Sequence, residues 1–261
     1  MEMSPVQLKA LLLDMDGVLW RGSHSIGSLP AIFAKIQSRG LKMAFVTNNA
    51  TRTVAQYLQT FRGFGLEVAA EQVHTSAKVT AEVLKAQHPA GGNVYVIGEL
   101  GLQEALHEQG FHLADEDCLA VVVGLDRHMT YEKLKRATHL IRGGAAFIGT
   151  NPDRTLPSPE GEVPGAGSIL AALEAATEVR ATVIGKPEPA LLVSALKQLG
   201  LLARQALMAG DRVETDVAAG QKAGCRTALL LSGVTSEAVA RAWRPPPDYI
   251  ERDLESLLDK I

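Results

Sequence analysis

Four short stretches of this 261-residue chain end apolar runs in groups that can do chemistry. "LLLDMDGVL" carries Asp14 and Asp16, and "FVTNN" carries Thr47 and Asn48. "VIGKPEP" carries Lys186, and "AGDRVETD" carries Asp211 and Asp216. A carboxylate taken out of water at the end of a hydrophobic run needs partners. Asp14, Asp16 and Asp211, brought to one place, would repel one another unless a cation came between them. A hard divalent ion meets that need, and Mg2+ suits a few carboxylates, waters and a substrate phosphate. Lys186 adds a fixed positive charge. Backbone amides around Gly17 and Asn48, with the Thr47 hydroxyl, suit phosphate oxygens. The set reads as a phosphoryl-transfer site built on positioning and charge neutralisation. Asp14 has the chemistry of a nucleophile that becomes an aspartyl phosphate. Asp16, two residues on, has that of a proton shuttle. Gly17 lets the chain turn sharply and approach the phosphate.

Such residues must be delivered by the ends of elements. Apolar runs end at Asp14 or begin at Leu41, Asn93, Leu119, Ala145, Ala181, Gln205 and Arg226, each apolar on successive residues as doubly buried strands are. Amphipathic segments lie between them: Pro30–Arg39, Thr53–Phe64, Tyr131–Arg142 and Pro189–Leu199, each closed by glycine. "RPPPD" at 244–248 leads into a final strand and helix. The alternation predicts an α/β fold, a Rossmann-like doubly wound parallel sheet, with ligands beyond the carboxyl ends of its strands. Asp14, Asp16, Thr47, Asn48, Lys186 and Asp211 are expected at those ends.

The four motifs, in this order, resemble those of the haloacid dehalogenase superfamily of phosphohydrolases. That resemblance implies Asp14 as nucleophile, Asp16 as acid/base, Thr47 on the phosphate and Lys186 as the fixed cation. It implies Mg2+ held by Asp14, Asp211 and the backbone carbonyl of Asp16, with Asp216 supporting the metal waters and Lys186. An Asp at position 16 points to phosphatase or phosphomutase work rather than to dehalogenation.

Roughly 140 residues separate Thr47 from Lys186, where one crossover needs about a dozen. The excess predicts a second α/β domain at 87–180, with 1–86 and 181–261 forming the core. By resemblance the insert is a C2-type cap. "GTNPD", "PGAGSILAALE", "TNNATRT" and "LLLSGVTS" are similar to the NagD and 4-nitrophenylphosphatase-like subclass IIA. A cap limits substrate size and favours small phosphorylated metabolites. Asn151 and Asp153 are candidate substrate or phosphate contacts, although Asn, Pro and Asp also make plain turns. Some relatives carry a His near Leu156, and its absence argues against pyridoxal phosphate as substrate. Trp20 either lines the entrance as part of a small flap or packs. "GAGS" at 165–168 suits a helix cap better than a dinucleotide fingerprint. The expected activity is a Mg2+-dependent phosphatase of small phosphomonoesters. A phosphotransferase or mutase, and a non-catalytic phosphometabolite binder, are the alternatives.

The bulk properties exclude other classes. A net charge of −3 without a basic block gives no support to nucleic-acid or membrane-surface binding. No apolar run is long enough for a bilayer, and the N-terminus lacks a basic leader. Cys118 and Cys225 have no metal-ligand spacing, and the seven histidines show no HxH or HExxH pattern. A cytoplasmic protein is expected, and the cap resemblance implies a homodimer.

Overall fold

The computed structural model describes residues 7–158 and 160–261; residues 1–6, where the segment read as leaderless begins, lie outside them. Two compact units divide the chain. The first takes residues up to Thr47, Tyr57–His74 and Lys186–Ile261, and the second takes Asn48–Gln56 and Thr75–Gly185.

The first unit is built on strands β1 (Ala10–Leu13), β4 (Lys42–Thr47), β5 (Val73–Thr75), β13 (Ala206–Gly210), β14 (Arg226–Leu230) and β15 (Tyr249–Glu251). They form one sheet in the order β15-β14-β13-β1-β4-β5. Strand β1 runs parallel to both neighbours, Leu13 standing opposite Ala209 of β13 and Phe45 of β4. Leu11, Leu12 and Leu13 are fully buried, as are Leu207, Met208 and Ala209. Burial on both faces is why these strands read as unbroken apolar runs. Helices α1 (Leu29–Ser38), α2 (Val54–Gly63), α7 (Ala190–Leu199), α8 (Ala218–Ala223), α9 (Glu237–Ala242) and α10 (Leu254–Leu258) complete the unit. Helix α1 has Pro30 in its first turn, and Gly40, at φ 68°, follows its end.

After β1 the chain makes a hairpin of β2 (Trp20–Arg21) and β3 (His24–Ser25). Trp20 is 2% exposed and lies edge-on to Phe61 (5.2 Å) and stacked on Phe64 (5.6 Å). Phe61 continues the cluster to Phe45 at 4.6 Å, and Phe45 stacks with Phe33 at 5.7 Å. The hairpin is therefore anchored on the aromatic core of its own unit, in which the Trp20 ring packs.

The second unit has strands β6 (Gly92–Ile97), β7 (Phe111–Leu113), β8 (Ala120–Val123), β9 (Ala146–Gly149) and β12 (Thr182–Val183), all parallel, in the order β12-β9-β8-β6-β7. Helices α3 (Ser76–Gln87), α4 (Leu100–Glu108), α5 (Tyr131–Arg142) and α6 (Ala166–Thr177) and a hairpin of β10 (Thr155–Ser158) and β11 (Gly161–Pro164) belong with it. Its core gathers Tyr95, Ile97, Val121, Val123, Phe147, Leu170 and Leu173.

Two sequence expectations shift. The second unit is longer than 87–180, because α3 packs on α4 and carries residues from Thr75 onwards with it. The run "ATVIGK" yields the two-residue β12, which pairs with β9 and not with the six-stranded sheet. Lys186 thus enters the first unit from the loop before α7, rather than from the end of one of that sheet's strands. The two-residue strand is partly exposed, so apolar composition alone misplaced it.

Phe61 is fully buried and touches three aromatic rings. Phe61→Ala is expected to destabilise the protein by about 3–5 kcal/mol, read as a lower urea midpoint with unchanged slope.

Candidate active site

Asp14 follows β1 directly, its N–H donating to the carbonyl of Ala209 at 2.9 Å. The Lys186 ammonium, 1% exposed, lies 2.6 Å from Asp14 Oδ1 and 2.7 Å from Asp216 Oδ1. It also donates to the carbonyl of Val46 at 3.1 Å, next to Thr47, which is buried at the end of β4. One side chain thus joins the ends of β1 and β4 to the segment after β13. That segment is a π-helical turn, Val213–Val217. It lets Asp216 Oδ2 reach back to accept from the N–H groups of Asp211 (3.1 Å) and Arg212 (3.0 Å).

Asp211, at the end of β13, is 3% exposed. Its Oδ2 accepts from the Val234 N–H at 2.8 Å, and its carbonyl accepts from the Thr235 N–H at 3.1 Å. Thr235 Oγ1 accepts from the Val213 N–H at 3.3 Å, and Ser232 Oγ donates to the Gly17 carbonyl at 2.7 Å. Residues 232–235 therefore brace both carboxylate-bearing loops. Glycines make room for this. A Cβ on Gly17 (φ 85°) would lie 2.5 Å from Asp211 Oδ2, and one on Gly233 would lie 1.9 Å from it. A Cβ on Gly210 would meet the Asp216 side chain at 2.2 Å.

The carboxylates brought together are Asp14, Asp211 and Asp216, with one oxygen from each all within 4.8 Å of one another. The expected third member, Asp16, stands outside this trio. Its side chain is exposed and its Oδ1 accepts from the Trp20 indole N–H at 3.0 Å, which draws the carboxylate towards the hairpin. Gly17 closes the same turn, its N–H donating to the Trp20 carbonyl at 2.8 Å.

Asn48, Asn151 and Asp153 meet within the second unit. Asn151 Nδ2 donates to the Asn48 carbonyl at 2.8 Å, which also accepts from Ser76 Oγ at 2.6 Å. Asn48 Nδ2 donates to Asp153 Oδ2 at 3.2 Å, and Asn151 Oδ1 accepts from the Asp153 N–H at 3.1 Å. The last bond is the local turn that Asn-Pro-Asp favours. Gly185 and Gly167 fit because they lack a Cβ: on Gly185 it would lie 2.4 Å from the Thr150 carbonyl, and on Gly167 2.2 Å from that of Pro152.

Three carboxylates facing one ammonium leave two formal negative charges uncompensated. Burial, opposed by Lys186 and reinforced by Asp216 and Asp211, holds the Asp14 carboxyl well above its usual range. Burial first, then the Asp216 charge, pushes Asp211 up to about 6 against the Val234 N–H, Arg212 and Lys186. Burial alone would lower Lys186, but Asp14 and Asp216 hold it above its ordinary value, so it stays charged. Excess negative charge presented by hard oxygen donors fits a divalent cation such as Mg2+.

The sequence pointed to every acidic residue and to Lys186. It attached no chemistry to Ser232, Gly233, Val234 and Thr235, whose contributions are largely backbone N–H groups and a missing Cβ. Their one signal was the small, polar "SGVTS" directly after the apolar run of β14.

Residues 11–112 match the haloacid dehalogenase-like hydrolase family, and residues 183–257 match the HAD-hydrolase-like family. An acid sugar phosphatase of Staphylococcus aureus is 37% identical over 256 residues, 98% of each chain. The structure of a p-nitrophenyl phosphatase from Archaeoglobus fulgidus superposes with a TM-score of 0.93 at 32% identity, covering 98% of this chain and all of the other. NagD from E. coli K-12 superposes with a TM-score of 0.88 at 29% identity, covering 95% of this chain and 97% of that one.

Removing the buried cation while its carboxylates remain should cost about 3–5 kcal/mol. Lys186→Met is therefore expected to lose that much stability at pH 7.5 and to regain part of it at pH 5, in urea titrations at both values. The sign at Asp211 follows from its raised value. The folded state binds more protons than the unfolded state between about pH 4 and 6, so metal-free stability rises on acidification through that window. A divalent cation such as Mg2+ held by these carboxylates would have to displace those protons, so added Mg2+ is expected to raise Tm more at pH 7.5 than at pH 5. Gly233→Ala, which drives a methyl into Asp211, should abolish most of that Mg2+-induced rise.

Proposed function

Because the chain belongs to the haloacid dehalogenase-like hydrolases, in the subclass IIA of NagD and the 4-nitrophenylphosphatases, we propose that it hydrolyses small phosphomonoesters through an aspartyl-phosphate intermediate, with Mg2+. It is a phosphomonoester hydrolase of that family. The observation that carries the reading is the Lys186 ammonium seated between Asp14 and Asp216 beside a third buried carboxylate.

Asp14 Oδ1 is engaged by Lys186, so Oδ2 is the attacking oxygen. Its lone pair forms the bond to phosphorus as the bond to the leaving oxygen breaks. Asp16 gives a proton to that oxygen, then takes one from the water that attacks the phosphorylated Asp14, releasing phosphate and restoring both groups. Thr47, Gly17 and Asn48 are assigned to the phosphate oxygens, and Lys186 holds Asp14 in line. When bound, Mg2+ would be held by Asp14, Asp211 and the Asp16 carbonyl, with Asp216 in support, and would neutralise phosphate charge. Asn151 and Asp153 are assigned to the substrate side, and the insert, expected at 87–180 and reaching from Thr75 to Gly185 in the structure, to a C2-type cap that excludes bulky substrates. Sugar phosphates and nucleotides are the substrate classes of this reading.

We assign the protein to the cytoplasm and to a homodimer formed through the cap. Both cysteines are free, and no helix among the described residues is long and apolar enough to cross a membrane. Tyr131, Leu100 and Leu113 are exposed apolar surface on the second unit that a dimer would cover.

The test is phosphate release from 4-nitrophenyl phosphate and a panel of sugar phosphates. Wild-type turnover should require Mg2+ and stop with EDTA. Asp14→Asn should lose at least about 10³-fold in kcat, and acid quench with phosphorus-labelled substrate should trap a phosphoryl-enzyme in the wild type alone. Full turnover in Asp14→Asn would overturn the assignment.

A further inference from the structure

Trp20, a buried side chain outside the four motifs' charged set, grips the proposed acid/base. Its indole N–H donates to Asp16 Oδ1 at 3.0 Å. The ring cannot swing away, because Phe64 stacks on it at 5.6 Å and the edge of Phe61 closes on it at 5.2 Å. The hairpin bearing it is held from the far side as well. Arg21 Nε donates to the Ser232 carbonyl at 2.8 Å, and Ser232 Oγ donates to the Gly17 carbonyl at 2.7 Å. Gly17, with φ 85°, brings the chain round so that its N–H meets the Trp20 carbonyl.

An exposed aspartate on a turn ordinarily samples several orientations of its carboxylate plane. Here that plane has a fixed reference. An indole N–H only donates, so it keeps Oδ1 as an acceptor in both protonation states. The exchangeable proton then resides on Oδ2. We infer that Trp20 is a positioning residue for Asp16: it orients the carboxyl so that Oδ2 delivers the proton to the leaving oxygen and later takes one from water. This rests on the phosphatase reading above. In the first half-reaction the Oδ2–H bond breaks as the leaving oxygen gains that proton. In the second, the water O–H bond breaks towards Asp16 Oδ2 as the water oxygen bonds to phosphorus and the bond from phosphorus to the Asp14 carboxylate oxygen breaks, freeing Asp14 and phosphate.

The role predicts a signature that packing alone does not produce. A 4-nitrophenolate leaves as a stable anion and needs little protonation, whereas the alkoxide of a sugar phosphate needs a proton to leave. Trp20→Phe should therefore lower kcat on a sugar phosphate roughly ten- to hundredfold, a share of the about 10²–10⁴-fold that such proton transfer supplies. It should lower kcat on 4-nitrophenyl phosphate less than about twofold, with KM unchanged for both. In an Asp16→Asn background the same substitution should add nothing, because its target is gone. If Trp20→Phe fails to fold, Trp20 replaced by β-(3-benzothienyl)alanine keeps the fused ring and removes only the N–H. Equal losses on the two substrates, no loss on either, or a full additional loss in Asp16→Asn would each overturn the inference. Turnover retained by Asp14→Asn would instead sink the phosphatase reading itself, so the two failures are distinguishable.

Discussion

One ammonium group organises the first unit. Lys186 Nζ sits at 2.6 and 2.7 Å from two buried carboxylates and within hydrogen-bond reach of the Val46 carbonyl. A buried charge of either sign is costly alone, and each of these groups makes the others tolerable. The consequence is geometric as much as energetic. The end of β1, the end of β4, the loop before α7 and the turn after β13 are all fixed to a single atom. That arrangement also leaves the cluster short of positive charge, which is the state a site for a cation and a phosphate requires.

The division of labour among the acidic residues follows from how each is held. Asp14 is presented directly by a central strand and engaged at one oxygen. Asp216 accepts two backbone N–H groups and an ammonium, and it is a structural anion that locks the loop of Asp211. Asp211 is braced from residues 232–235 and carries a raised pKa. Asp16 stands apart at the surface, tied to an indole. Four carboxylates of one residue type thus occupy four electrostatic situations, and the backbone around them makes the difference.

Much of this was legible in the sequence. Doubly buried strands announce themselves as unbroken apolar runs, so β1, β4 and β13 could be read directly, with Asp14, Thr47 and Asp211 placed at their ends. Lys186 was legible as chemistry but not as placement, because β12 is two residues long and pairs in the other sheet. Asp216 was legible as a supporting residue, and not as the third member of the trio. Its reach depends on a turn wider than an α-helix, which no residue type signals. The stretch "SGVTS" marked the place, but not the bracing by Val234 or the room left by Gly233. A backbone N–H belongs to every residue, and an absent Cβ is informative only when its neighbour is known.

The π-helical turn at Val213–Val217 ties function to chain length. Such a turn accommodates one more residue than an α-helical turn between the same two ends. Successive residues of an α-helix are rotated by about 100°. Deleting one residue here would therefore let an ordinary helix form and carry Asp216 round to another face, away from Lys186 and from the two amides it caps. The helix would improve as a helix while the charged cluster came apart. The register of this short segment, and not only the identity of the aspartate within it, is what the site inherits from the sequence.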